Sequence, residues 1–542
     1  MGNNSSSLQS DVRNLSYGHV KTAFEKRIFG SSDSEQNFDD EVEHIRKMLK
    51  GLTHADPARS AALNNLGNLL CRRFKQQRNP NDLDEAISLH REALVLRPPP
   101  HPQRGSSLNN LAVAVDSRFD ARGDAKDIDE VLDLQKEFLA LLSLSDPLRS
   151  VALNNLAGAM KLRFDNQGNP KDLDDGMALL IEGLALCPPP HPRRAETLNN
   201  LANFTLTRFR ERGADSSELD EAISMHTEAL SLRAAPHPAR ASSLSNLGNT
   251  LLIRFDEQGN FRDLDKAIEL YTEAVVLRPS PHAERAASLD GLGDVFLTRF
   301  EKRSDPRDID EAIKLHREAM VLRAPPDPKH AFSLNSLGVA LAARAKQYGT
   351  MNDIEEAISL QRAALALYPS THPDRRSTLN HLGFSLQVRF DQSADVKDLH
   401  DAIDLHREAL ILTASQPDDH LITLNNLIPA LQARFSSQGD VRDLTDVIVF
   451  QTERLSYCVT ATPLRGRLLA ELALALQSRF KLDLEGESED INDAIEFQRE
   501  ALTLCPDRAL ALSNLADALQ IRFERFGDLK DEEEATLLRN TL

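Results

Sequence analysis

The stretch Asp56-Pro57-Ala58-Arg59-Ser60-Ala61-Ala62-Leu63-Asn64-Asn65-Leu66-Gly67, which runs on to Arg73-Phe74, decides the architecture because it keeps returning. Its central leucine recurs as Leu63, Leu108, Leu153, Leu198, Leu244, Leu289, Leu334, Leu379, Leu424, Leu469 and Leu512. The steps are 45, 45, 45, 46, 45, 45, 45, 45, 45 and 43 residues. A fixed period of this size marks a solenoid, in which each unit buries its apolar face only by stacking on the next.

Each unit reads as two helices. In helix A, Leu63, Leu66, Gly67, Leu70 and Phe74 share one stripe, while Asn64, Asn65 and Asn68 lie on the other side. Asp56-Pro57 is the expected start, with Asp capping free amides and Pro at the first helical position. His-Pro replaces it at 101–102, 191–192, 237–238 and 372–373. Helix B is expected to open on capping boxes: Asp82 with Glu85, Asp127 with Glu130, Asp308 with Glu311, Asp353 with Glu356. Ala86, His90, Ala93 and Leu94 form its inward stripe, flanked by Ile87 and Leu89. Arg97-Pro98-Pro99-Pro100 stops it, since proline cannot continue a helix. The expected fold is all-α: an α-solenoid, a right-handed superhelix of about 11 tandem helix pairs.

Composition narrows the function. Of 542 residues, 41% are hydrophobic and none is Trp, so small aliphatic side chains must build the core. A net charge of −19 argues against nucleic acid or an anionic membrane surface as partner, because both need a basic face. Cys71, Cys187, Cys458 and Cys505 are far apart with no CxxC, so neither a disulfide framework nor a zinc site is indicated. A reducing, cytoplasmic setting fits. No apolar run has the length of a membrane span.

Residues 1–10 are polar and expected to be a disordered tail. Gly2 and Ser6 match the N-myristoylation pattern, which by itself would give only marginal membrane association. Residues 11–55 read as a degenerate first, capping repeat: Phe29 is in register with Phe74, and the segment from Phe38 aligns with that from Leu83. The solenoid proper spans 56–542. Its last repeat stops at Leu542, halfway along helix B, as a truncated frame, a fragment or a product lacking its next domain would. Ala345 stands where Phe recurs, Pro429 should kink a helix A, the loop at 481–490 gains two residues and the turn after Pro506 loses four. Less regular stacking is expected over 410–510.

These residues resemble the tetratricopeptide repeat, whose pattern W-x2-L-G-x2-Y, then A-x3-F, then P, covers 34 residues. Leu63-x2-Leu66-Gly67-x2-Leu70 fits the first half and Ala86-x3-His90, Ala93 and Pro98 the second. Seven extra residues between Gly67 and Ala86 and four after Pro98 account for the longer period. The Leu-Asn-Asn-Leu-Ala and His-Pro segments are similar to the long repeats of kinesin light chains. The Asp-Leu-Asp-Glu-Ala-Ile and Arg-Phe elements are similar to arrays in fungal proteins that often carry a C-terminal CHAT domain, a caspase-like protease fold. The resemblance implies a non-enzymatic scaffold that binds a peptide or protein segment in a concave groove. Its alternative is the sensor array of a CHAT protease whose catalytic domain lies outside this chain.

Two ladders are the candidate functional residues. Asn65, Asn110, Asn155, Asn200 and Asn246 form one series, with Asn64, Asn109, Asn154 and Asn199 beside it. An amide offers both donor and acceptor, which suits the backbone of an extended peptide. The competing reading is that these asparagines bond neighbouring helices. Other groove positions, such as Cys71-Arg72, Asp116-Ser117 and Leu206-Thr207, are mostly neutral, which disfavours a clamp for acidic tails. The second ladder is Arg73, Arg118, Arg163, Arg208, Arg254 and Arg299, continuing in every unit. A guanidinium there can fork onto the Asp that starts helix B or onto a loop carbonyl, a structural role. His90, His226, His316 and His406 alternate with Gln at one inward position, which implies hydrogen bonding and not metal ligation. No phosphate loop, nucleophile elbow or Cys/His arrangement stands out, so no cofactor and no enzymatic activity are expected.

Overall fold

A computed structural model describes residues 38–541, apart from 78, 213–215, 371, 414–416, 459–461, 483–487 and 505–507. The 1–10 tail, Gly2, the Phe29 helix, Cys505, the turn after Pro506, much of the 481–490 loop and Leu542 lie outside the described residues.

The described residues form 23 helices and no strand, an all-α solenoid. Helix α1 (Phe38–Gly51) is followed by pairs of one helix A and one helix B, numbered here as repeats. They are α2 (Pro57–Gln77) with α3 (Pro80–Val95), α4 (Arg104–Arg122) with α5 (Ala125–Ala140), and α6 (Arg149–Gln167) with α7 (Pro170–Ala185). Next come α8 (Arg194–Arg212) with α9 (Ser217–Ser231), α10 (Arg240–Gln258) with α11 (Phe261–Val276), and α12 (Arg285–Arg303) with α13 (Pro306–Leu322). The seventh repeat is α14 (His330–Tyr348) with α15 (Met351–Leu367), and the eighth α16 (Asp374–Ser393) with α17 (Val396–Thr413). The last three are α18 (Pro417–Gln438) with α19 (Val441–Ser456), α20 (Pro463–Leu482) with α21 (Ser488–Leu504), and α22 (Arg508–Phe526) with α23 (Leu529–Asn540).

The helix starts differ from expectation in two ways. First, α2 begins at Pro57 with Asp56 Oδ1 accepting from Ala58 N at 2.8 Å, but α4 begins three residues after His101. There Pro102 sits in a turn ahead of the helix, closed by Arg104 N donating to the His101 carbonyl. His101 Nδ1 accepts from Gln103 N at 3.1 Å, so the imidazole takes the place of the carboxylate. Second, helix B is capped three residues earlier than the capping boxes implied. Asn79 accepts from Asn81 N, Asp124 from Lys126 N and Asp305 from Arg307 N. Asp82, Asp127, Asp308 and Asp353 instead lie buried within the first turn. Glu85 and Glu130 reach back to Arg46 and Arg91 on the preceding helix B. A buried carboxylate in the first turn gains more from a guanidinium than from a solvent-exposed cap.

The chain divides into two compact units, one of residues 1–340 with 363–374, the other of 341–362 with 375–542. In unit 1, Leu66, Leu70 and Phe74 of α2 pack with Leu83, Ala86 and Ile87 of α3, the apolar cluster runs on through α7, and Leu63 is buried as well. Leu89 and Leu94 are only partly buried at its margin. Glycine at position 67 is required by close approach: a Cβ there would sit 2.7 Å from the His90 ring. Helix A ends on a left-handed residue, Gly123 in α4 (φ 72°) and Gly168 in α6 (φ 68°), where an L side chain would be strained.

In unit 2, Leu424, Leu427 and Leu431 of α18 pack with Val447 of α19 and Leu472 of α20. α18 runs unbroken through Pro429. Ala345, in the place of the recurring Phe, is fully buried, and Gln392 Nε2 donates to its carbonyl at 3.0 Å.

Candidate functional site

The two asparagine series in unit 1 part company. Asn64, Asn109, Asn154 and Asn199 are not on the outer face: all four are buried between helices. Position 64 lies only about 60° around the helix from Gly67, near enough to meet the helix-B side chain that packs on that glycine. Asn64 Oδ1 is 2.9 Å from His90 Nδ1, and Asn64 Nδ2 donates to Ser107 Oγ of the next repeat at 2.9 Å. Asn154 donates to Thr197 Oγ1 and Asn199 to Ser243 Oγ in the same way.

The second series turns away from helix B. Asn65 is exposed, Asn110 and Asn155 are half-buried, and Asn200 and Asn246 are buried. Asn155 Nδ2 donates to Asn109 Oδ1 at 2.8 Å and Asn200 Nδ2 to Asn154 Oδ1 at 3.0 Å, so these two also tie adjacent repeats together. Asn65 and Asn110 make no side-chain hydrogen bond among the described residues.

The arginine ladder forks onto helix B. Nε and Nη2 of Arg73 reach the two oxygens of Asp82 at 2.9 and 2.7 Å. Arg118 with Asp127, Arg163 with Asp172, Arg254 with Asp263 and Arg299 with Asp308 repeat the geometry. In unit 2, Arg389 with Asp398 and Arg434 with Asp443 do so as well. Arg208 departs, because Ser217 stands at the acidic position; it meets Glu218 at 3.0 Å instead. Arg73, Arg254 and Arg299 also reach Asp39, Asp220 and Asp265 on the preceding helix B. The fork therefore joins helix A to its own helix B, and at these three positions to the previous repeat.

The inward histidines are hydrogen-bonded packing residues. Burial pushes His90 down to about 4, His226 to about 3 with help from Arg233, and His406 to about 3, so all three are neutral at physiological pH. His226 Nδ1 lies 2.9 Å from Asn199 Oδ1 and His406 Nδ1 3.0 Å from Asn380 Oδ1; Gln135 Nε2 donates to Asn109.

A third ladder went unread in the sequence. Arg59, at the start of helix A, pairs with Glu92 near the end of helix B and donates to the Leu52 carbonyl of the preceding turn. Arg104 with Glu137, Arg240 with Glu273 and Arg285 with Glu318 do the same, donating also to the carbonyls of Arg97, Arg233 and Arg278, each two residues past the end of the preceding helix B. The signal was available: two columns of opposite charge, 33 to 35 residues apart, recur in most units.

Cys71 and Cys187 are buried thiols and Cys458 is half-buried. Among the described residues no group of three or more His, Cys, Asp or Glu is placed to hold a metal ion. No described helix is long and apolar enough to cross a membrane.

Residues 59–103 and 240–282 each match the tetratricopeptide repeat family model. Among solved structures, the chain is similar to a putative kinesin light chain from Podosopora anserina with nearly identical repeats of this type. Identity is 20%, over 42% of this chain and 99% of that one, with a TM-score of 0.30. It is similar to BtubC from P. vanneervenii at 18% identity, over 48% of this chain and 92% of that one, with a TM-score of 0.31. It is also similar to yeast Tom70 at 18% identity, over 86% and 96%, with a TM-score of 0.32. No curated protein matches the sequence.

Proposed function

We propose that this solenoid, whose units are tetratricopeptide repeats lengthened to about 45 residues, is a non-enzymatic scaffold that holds a peptide or protein segment along the outer face of its A helices. The row Asn65, Asn110, Asn155, Asn200 and Asn246 carries the reading: one amide per repeat, on the side turned away from helix B, with the first two free of other bonds. Solenoid curvature turns such a row into a concave binding surface. An amide accepts and donates at once, so the open rungs Asn65 and Asn110 can each meet both a carbonyl and an N–H of an extended segment. The net charge of −19 disfavours nucleic-acid phosphate as the ligand.

The test separates binding from stacking. The full chain is panned against a random peptide-display library. Sequences enriched by the wild type are then titrated onto an Asn65→Ala/Asn110→Ala variant. Affinity should fall about tenfold or more, a loss of about 1.4 kcal/mol, with melting unchanged. Asn154→Ala should instead lower melting, because Asn154 bonds the Ser150 carbonyl, Thr197 and Asn200. Equal binding by the double variant rules this face out.

A further inference from the structure

The turn into helix A is fastened in two chemically different ways. Before α2, α6 and α14 a carboxylate does it. Asp56, Asp146 and Asp327 each accept from the backbone N–H two residues on, at 2.8 Å. Before α4, α8, α10, α12 and α16 an imidazole takes that place. Nδ1 of His101, His191, His237, His282 and His372 accepts from the N–H of Gln103, Arg193, Ala239, Glu284 and Asp374 at 3.0–3.2 Å. The first four of these histidines are tied to helix A a second time. Their carbonyls accept from the N–H of Arg104, Arg194, Arg240 and Arg285.

An imidazole accepts at Nδ1 only while that nitrogen carries no proton. A second proton turns the acceptor into a donor that faces another N–H. A carboxylate in the same place keeps accepting down to about pH 4. The charges around the rings do not favour the imidazolium. Arg97, Arg233 and Arg278 lie buried four residues before His101, His237 and His282. Arg104, Arg194, Arg240 and Arg285 follow three residues after, and the helix-B carboxylates Glu137, Glu228, Glu273 and Glu318 are engaged by those arginines. Burial, helped by Arg233, lowers His237. Burial also lowers His372, which stacks on Tyr368 at 4.4 Å, with Asp374 opposing. Glu284 stands two residues past His282 in the same way.

We propose that these imidazoles are clasps that acid releases. As pH falls through the histidine range, the A helices of the second, fourth, fifth, sixth and eighth repeats lose the fastening at their starts. Those of the first, third and seventh keep theirs. Each clasped ring binds its second proton more weakly folded than unfolded. Its contribution is therefore full above about pH 6.5 and is lost as pH falls below it. Because α8, α10 and α12 follow one another, the release is concentrated on three neighbouring repeats of unit 1, and the leucine stripe takes no part in it.

Hydrogen exchange of the full chain, read by mass spectrometry at about pH 7.5 and 5.5 and corrected for intrinsic rates, follows each turn separately. Protection at the starts of α8, α10 and α12 should fall about three- to tenfold at the lower pH, tenfold being the limit one unit below the ordinary histidine value. Protection at the starts of α2 and α6 should hold. In His191→Asn/His237→Asn/His282→Asn a side-chain oxygen accepts at either pH, so the fall should vanish. The buried His90, His226 and His406 are unchanged in that variant, so any effect of theirs remains in both proteins. If it folds poorly, His191→Asp/His237→Asp/His282→Asp copies the clasp before α2 and gives the same reading. No fall in the wild type, an equal fall at the carboxylate turns, or a fall that persists in a folded variant overturns the inference.

Discussion

His316 Nδ1 lies 3.2 Å from Asp290 Oδ1 within unit 1, and neither side chain reaches solvent. In other repeats the corresponding partner of the helix-B histidine is a neutral asparagine, as in His90 with Asn64. Here the asparagine is replaced by Asp290, which also accepts from Arg323. Asp294 approaches the other ring nitrogen at 3.6 Å. Tyr271 and Arg278, from α11 and the turn after it, complete the charged and titratable surroundings. Arg278 acts on Tyr271 and bonds Ser288 and Ser242, so Asp290 and Asp294 share one guanidinium, that of Arg323, and are one positive charge short unless a proton is held.

That shortfall predicts a pH dependence of known sign. Burial alone would lower His316, but its bond to Asp290 and the charges of Asp294 and Asp290 outweigh burial and raise it. Burial pushes Asp294 up to about 7, with Asp290 adding to the effect and His316 and Arg323 opposing it. Both groups bind protons more tightly folded than unfolded. The resulting stabilisation is present at mildly acidic pH and is lost as pH rises through about 7. Urea unfolding between pH 5.5 and 8.5 should show the wild type losing about 1–2 kcal/mol more than Asp294→Asn, in which the cluster balances with a neutral imidazole. Parallel pH profiles for the two proteins would exclude proton sharing at this site.

The guanidinium fork makes a graded prediction. Asp172 is 2% exposed and both of its oxygens are taken by Arg163. Arg163→Met leaves a buried carboxylate without its counter-charge and should cost about 3 kcal/mol. Arg208→Met removes one contact to a less buried Glu218 and should cost about 1 kcal/mol. Arg163→Met/Asp172→Asn should recover part of the loss, because the unpaired charge is gone. Hydrogen exchange across α6 to α8 measures the local effect in an array that need not unfold as one body. Equal protection in the two single variants would contradict a fork that carries stability.

Much of this was legible from one periodicity. Leu63, Leu66, Leu70 and Phe74 had to be buried because the same stripe recurs in unit after unit. What the sequence hid is the choice among polar partners. Asn79 and Asp82 are both acceptable caps, and only the folded chain brings Arg73 across to claim the second. Asn64 and Asn65 are adjacent and chemically identical, yet a 100° step puts one against His90 and leaves the other in water. The Arg59–Glu92 pair spans 33 residues, too far for any local pattern, so only comparison of columns across the units would have exposed it.

That third ladder has one internal break, and the break is itself a test. In the seventh repeat His330 stands where the arginine belongs and Ala363 where the glutamate belongs, so both members are missing together. His330 Nδ1 is buried without a hydrogen-bond partner among the described residues. If the pair braces the start of helix A against the end of helix B, each restoring change alone gains little. His330→Arg has no carboxylate to meet, and Ala363→Glu places an unpaired acid beside an imidazole. His330→Arg/Ala363→Glu together should rebuild the contact seen at 2.9 Å between Arg285 and Glu318 and raise stability by about 0.5–1 kcal/mol over the sum of the singles. A double-mutant cycle by chemical denaturation measures that coupling. A coupling near zero would mean that the ladder elsewhere sets helix geometry through the arginine-to-carbonyl bonds and not through the ion pair.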